Sequence, residues 1–373
     1  MAETAICVGL MSGTSLDAVD AVACRFDARG RLTELLGSFT LAYPADIRAQ
    51  LLNLQRAPDT AITLRQLARL DEAVATAFAA AATRLLAQLQ IPADSVLAVG
   101  SHGQTVFHDP LVLHTSLQLG NPNLIAARTG IRTVADFRRA DLALGGNGAP
   151  LVPAFHHAMF AGETPRVIVN IGGIANITVL PDAEAATVFG FDTGPGNGLL
   201  DEWVQRHRGA AFDSNGAWAA SGRVDETLLQ RCLREPYFQA PPPKSTGRDL
   251  FNLDWLLSLG GVDALAPVDV QATLLELTAR SITDAIRQRA PASATVHVCG
   301  GGTRNAALMS RLQQRLAPQH AVGTTTELGL DPAWVEATAF AWLAWRNLQG
   351  LPGNLPAVTG ASRSARLGGV YAP

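Results

Sequence analysis

An aspartate closes the apolar run "TVFGF" and precedes "TGPGNG", so Asp192 stands at the carboxyl end of a strand-like segment, facing a glycine-rich turn. Open α/β folds put their clefts at such places. The carboxylate suits a general base there, the lesser alternative being that it holds the N–H groups of the loop that follows. Glu336 is the second carboxylate of interest. The stretch "PAWVEATAFAWLAW", Pro332 to Trp345, carries no other charge and is apolar nearly all round, which predicts a largely buried helix. A lone carboxylate on it needs a partner or a polar cavity, because an unpaired buried charge is very costly. Glu336 therefore either pairs with an arginine or lines a pocket.

Three small-residue turns follow apolar strands: Ser12 to Asp17, Gly172 to Asn176 and Gly300 to Asn305. Where side chains are small, as at Gly13, Thr14 and Ser15, at Gly172 and Gly173, and at Gly301 and Gly302, successive backbone N–H groups can converge on an anion. The third turn also leads into a helix, whose N-terminus favours negative charge. Any one of them alone is more often just a turn; together they point to phosphate. No G-x-x-x-x-G-K-[ST] sequence is present and "GPGNG" does not match G-x-G-x-x-G, so neither of those nucleotide motifs applies. Asp17 and Asp20 flank the first turn. Carboxylates beside phosphates call for a cation, and a hydrated Mg²⁺ is the natural one. Otherwise Asp17 caps its turn and Asp20 makes a structural pair.

In "SHGQTVFH", His102, Gln104 and His108 surround a strand-like segment, and "VADFRRAD" puts Asp136 and Arg138 after another. Neither has metal-ligand spacing. Each histidine alone reads first as a satisfied structural residue, and only His102, between small residues at a strand end, looks poised. Lys244 is the one lysine among 29 Lys and Arg residues, set among prolines in "PPPKSTGRD", where it meets either an anionic substrate group or solvent.

These residues need a scaffold. Strand-like runs alternate with helical patterns throughout the 373 residues, which predicts an α/β protein with mixed sheets and about two domains. A hairpin or meander opens the chain (5 to 11, 19 to 26, 34 to 42), and the Ala/Leu-rich stretch 61 to 90 reads as a long helix. The connector "LGGNGAPLVP" at 144 to 153 suggests a junction, giving domains 1–143, completed by part of the C-terminal segment, and 144–373. Beyond it the opening pattern returns in "RVIVNIGGIANITVL", so the chain reads as two related halves. A net charge of −3 without Lys/Arg blocks gives no reason to expect nucleic acid or an anionic membrane surface. No apolar stretch approaches a membrane span, the N-terminus lacks a secretory pattern, and the four cysteines read as buried thiols in a reducing cytoplasm.

The segments "GLMSGTSLDAVD", "SHGQTVFH", "ADFRRADLALGGNGAPLVPAFH", "NIGGIANIT", "GFDTGPGN", "PPPKSTGRD", "CGGGTRN" and "LGLDPAWVEATAFAWLA" occur in this order over essentially the whole chain. Together they resemble the anhydro-N-acetylmuramic acid kinase family, within the acetate and sugar kinase, heat-shock chaperone and actin superfamily. The resemblance implies a two-lobed actin-like ATPase fold, with duplicated mixed-sheet, ribonuclease H-like domains and an interlobe cleft. It implies that ATP phosphates lie along Gly13, Thr14, Ser15, Leu16 and Asp17, continuing through Ala18, Val19 and Asp20, with Asp17 on the Mg²⁺ side mainly through water. The second turn, with Gly172, Gly173 and Asn176, would hold phosphate too, and the third, with Gly301, Gly302 and Asn305, would meet the nucleotide's sugar and base.

Asp192 matches the family's catalytic aspartate, and Glu336 a substrate-contacting glutamate gripping the sugar opposite it. His102, Arg138 and Lys244 join the substrate contacts; Arg132, Arg138 and Lys244 are candidates for the lactyl carboxylate. The implied reaction turns ATP, 1,6-anhydro-N-acetylmuramic acid and water into N-acetylmuramic acid 6-phosphate and ADP, in peptidoglycan recycling by a cytoplasmic homodimer. The alternatives are another sugar kinase of the superfamily or a chaperone-like ATPase.

Overall fold

The β-branched runs at the start of the chain pair with each other first. In the computed structural model, which describes residues 4–13, 16–57 and 59–373, strands β1 (Ala5–Met11), β2 (Ala18–Phe26) and β3 (Leu32–Ala42) form an antiparallel meander. Strand β4 (Val96–Ser101) then adds parallel to β1. A separate hairpin follows, β5 (Gln104–Asp109) with β6 (Thr115–Leu119), and β7 (Thr133–Ala135) lies parallel to β4. The order is β3-β2-β1-β4-β7.

Period-two alternation sends Val8 and Leu10 to one face, against the helix Leu64–Leu89, whose Leu70, Val74, Phe78 and Leu85 are buried. That helix begins on a capping box, Thr63 with Gln66. The other face of the sheet carries the helix Val335–Leu348, buried nearly all round as its sequence predicts. Gly9 and Gly100 let it approach: a Cβ on Gly9 would lie 1.9 Å from Ala337 O, and one on Gly100 2.0 Å from Phe340 O.

The second half repeats this plan. Strands β8 (Arg166–Ile171), β9 (Ile174–Leu180) and β10 (Phe189–Pro195) are antiparallel neighbours, while β11 (Thr295–Cys299) and β12 (Val322–Thr324) continue in parallel from β8. Their order, β10-β9-β8-β11-β12, is that of the first sheet strand for strand. The helix Pro267–Arg289 buries Leu274, Leu277 and Ile282 in this unit's core. A last strand, β13 (Gly369–Tyr371), pairs antiparallel with β7 at the edge of the first sheet.

The chain divides into one unit of Met1–Met159 with Trp334–Pro373 and another of Phe160–Ala333. The Gly/Pro-rich connector, read from sequence as a junction at 144, thus lies inside the first unit. Asp141 holds it there. This fully buried carboxylate accepts from the Gly148 N–H (2.8 Å), Asn354 Nδ2 (2.7 Å) and Thr359 Oγ1 (2.8 Å), tying the connector to the C-terminal segment. The four cysteines are free and buried, as apolar surroundings predict. Among the described residues no helix is long and apolar enough to cross a membrane.

Candidate active site

The first glycine turn joins β1 to β2. Thr14 and Ser15 lie outside the described residues. At Gly13 a Cβ would meet nothing within 4 Å, so the backbone there faces open space. The Leu16 N–H donates to Gly13 O (3.3 Å), and the Leu16 side chain is fully buried beneath the turn. Asp17 is exposed, and Arg48 Nη2 lies 3.2 Å from its Oδ1 while Arg48 Nε donates to Leu16 O (3.0 Å). Ala18 and Val19 open β2. Asp20 sits in the ladder, accepting from Thr40 Oγ1 at 2.7 Å, which is the structural pairing open to it from sequence.

The second turn, between β8 and β9, is packed rather than free. Gly196 and Gly198 donate to Gly173 O (2.9 and 3.0 Å), and Asn197 donates to Gly172 O (2.8 Å), so "GPGNG" is docked on the turn. The approach requires glycine, since a Cβ on Gly196 would stand 2.4 Å from Gly172 O. Asn176 lies opposite Asp192 in the β9–β10 register, just before a bulge that lets β10 turn into this loop.

Asp192 is 7% exposed. The Thr246 N–H donates to its Oδ2 at 3.1 Å, and Tyr237 Oη donates to its backbone oxygen at 2.6 Å. Lys244 is close by: its backbone oxygen accepts from the Asp192 N–H (3.4 Å), while its Nζ donates to Tyr237 O (2.8 Å) and sits 4.5 Å from the Tyr237 ring centre. Burial lowers the Lys244 pKa, the Arg289 charge adds to that, and the Asp192 charge opposes it. Tyr237 and Thr246 carry no sequence signal of their own; the proline run before Lys244 was the nearest one.

At the third turn a short 3₁₀ segment, Gly301–Arg304, separates β11 from the helix Ala306–Leu316. Gly300 needs its positive φ of 82°, and a Cβ on it would strike Asn170 and Ile171. A Cβ on Gly301 would find only Asn197 Nδ2, at 3.9 Å, whereas Gly302 is buried against Ile171. Asn305 caps the helix, its Oδ1 accepting from the Leu308 N–H at 3.0 Å.

In the first unit His102 and Arg138 come together. Arg138 donates to His102 Nε2 from Nη2 (2.8 Å) and Nε (3.2 Å), and to Gly148 O from Nη1 (2.8 Å). The His102 ring stacks near Phe340, 4.7 Å between centroids. Burial, with the Arg138 charge second, pushes His102 well below the usual histidine pKa. Glu336, also in this unit, is half-buried in the first turn of Val335–Leu348. Arg132 does not join them. It is exposed, precedes β7, and lines a groove with Asp94, Ser95 and Gln349 at the end of the sheet where β4 begins, whereas His102 follows the other end of β4.

Two units of one strand order, each with a glycine turn between its first two strands, make this a duplicated α/β fold. A model of the family "Anhydro-N-acetylmuramic acid kinase" matches residues 5–373. The chain is 50% identical over 373 residues to the anhydro-N-acetylmuramic acid kinase of Saccharophagus degradans, with 98% of each chain covered. It is 52% identical over 369 residues to that of Shewanella oneidensis, again covering 98% of both, and 48% identical over 367 residues to that of Coxiella burnetii, covering 98% of this chain and 96% of the relative. The chain belongs to the anhydro-N-acetylmuramic acid kinase family, and is a kinase that uses ATP on a small-molecule substrate.

Proposed function

We propose that the chain opens the anhydro ring of 1,6-anhydro-N-acetylmuramic acid with water and transfers the γ-phosphoryl group of ATP to O6, giving N-acetylmuramic acid 6-phosphate and ADP. The observation that carries this reading is Asp192: a buried carboxylate within β10, just before the strand's bulge and not at its end as the sequence suggests, beside a docked glycine loop, with Oδ2 fixed by a backbone N–H. Its role is to take a proton from the water that attacks the anomeric carbon. The C1–O6 bond breaks as the C1–O bond to water forms, and O6 attacks the phosphorus. Glu336 grips the sugar hydroxyls, while His102 and Arg138 bind beside them. The open backbone at Gly13 and Gly301 supports phosphate or ribose approach.

Phosphoryl transfer asks the protein chiefly for positioning and for donors aimed at developing charge. Mg²⁺ fits Asp17, whose side chain is 65% exposed and so can reach a metal-bound water; bound there, the ion would neutralise phosphate charge. Among the described residues no group of three His, Cys, Asp or Glu side chains could hold a metal by itself. The protein is read as a cytoplasmic homodimer serving peptidoglycan recycling.

The test is Asp192→Asn, which should abolish turnover while ATP still binds; near-normal activity would overturn the base assignment. Wild-type protein should release ADP and sugar phosphate in equal amounts. Ring opening without ATP would make it a hydrolase.

A further inference from the structure

We infer that residues 237–248 form a strap that fixes Asp192, with Tyr237 and Lys244 as positioning residues rather than substrate ligands. The inference rests on the reading of Asp192 as general base. Strand β10 is the edge of its sheet, and at Asp192 that edge is covered by the strap. Three groups of one residue are held from it: the backbone oxygen by Tyr237 Oη (2.6 Å), the N–H by Lys244 O (3.4 Å), and Oδ2 by the Thr246 N–H (3.1 Å). Backbone and carboxylate are thus set by the same short segment.

Lys244 closes the strap on itself. Its Nζ donates to Tyr237 O (2.8 Å) and lies between two aromatic faces, 4.5 Å from the Tyr237 ring centre and 5.4 Å from that of Phe191. The ammonium is engaged within the strap, which argues against a role on a substrate carboxylate. It also gives a reason for a lysine here in a chain otherwise built with arginine: a compact point charge fits between two rings and a carbonyl where a planar fork does not.

The strap is anchored at both ends. Phe251 packs edge-on against Tyr237 (5.7 Å between centroids) and Trp255 against Phe251 (5.1 Å). Arg248 makes a buried ion pair with Glu202 at 2.9 Å, on the helix that follows the docked glycine loop. A buried pair of this kind is costly to break, so it holds the strap's far end in one place.

The experiment is steady-state kinetics of the full chain carrying Tyr237→Phe or Lys244→Met. Each should lower kcat about tenfold or more, with KM for sugar and for ATP within about twofold of wild type, because misplacing a base slows chemistry without loosening binding. Lys244→Arg, which keeps the charge, should show the same loss of kcat. A Lys244→Met protein with raised sugar KM and unchanged kcat would make the lysine a substrate ligand and overturn the inference. Wild-type kcat in Tyr237→Phe would also overturn it; that change removes one oxygen and so decides the matter even where Lys244→Met fails to fold. Asp192→Asn separates the two readings. If it stays active, the base assignment fails; if it is dead while Tyr237→Phe is unimpaired, only the strap fails.

Discussion

Arg138 donates to His102 Nε2 from two of its nitrogens, at 2.8 and 3.2 Å, so Nε2 is an acceptor and the imidazole is neutral. Protonating it would set a cation against a cation in a buried place.

That arrangement makes the fold sensitive to acid. His102 is held well below the usual histidine value by burial and by Arg138, His156 is pushed down to about 3 by burial, and His108 to about 4 by burial and then by Arg138. Above the unfolded-state value near 6.5 both states are neutral and the stability is fully present. As pH falls below it the unfolded chain takes up protons that the folded chain refuses, and stability is lost until the folded values are reached. For His156 the loss is about 1.4 kcal/mol for each pH unit in that window. Urea midpoints should therefore fall from pH 7 to pH 5, less steeply in His156→Gln. An unchanged slope would count against the buried neutral ring.

Gly100→Ala should destabilise the first unit by about 2–3 kcal/mol, because its Cβ would have to displace the helix at Phe340 O. Gly162→Ala, with nothing nearer than Arg166 at 3.7 Å, should change stability by less than about 0.5 kcal/mol. Equal urea midpoints for the two variants would contradict the close approach.

Gly196→Ala bears on the second turn. The added carbon would press on Gly172 O and shift the turn, raising KM for ATP about tenfold if that turn holds phosphate. A lower Tm with ATP binding intact would leave the turn a purely structural hairpin.

Glu336→Gln should raise KM for the sugar by roughly tenfold or more, the worth of a charge-assisted hydrogen bond, while the Kd for ATP stays put. A changed Kd for ATP with normal sugar KM would move Glu336 to the nucleotide.

Much of this was legible because it is local. The meander at the start of the chain, its echo from Arg166 onward and the buried helix around Glu336 follow from side-chain periodicity and glycine placement. Asp192 was legible too, as a carboxylate where a strand runs into glycines. What escaped is long-range. The Thr246 N–H is 54 residues from Asp192, and nothing in the neighbourhood of either announces the other. The connector after Asp141 looks like a linker by composition, yet Asn354 and Thr359 donate to Asp141 from the C-terminal segment, and a Cβ on Gly146 would lie 2.2 Å from Asp141 Oδ2. Arg132 and Arg138 look alike in sequence; the three residues of β7 between them send them to different ends of the sheet.

The return of Trp334–Pro373 to the first unit imposes an order on synthesis. Those residues leave the ribosome after Phe160–Ala333, so the second unit can complete its core while the first still has a bare sheet face at Gly9 and Gly100. Until the helix Val335–Leu348 emerges, that apolar face is open to premature association. The first strand translated is among the last to be covered.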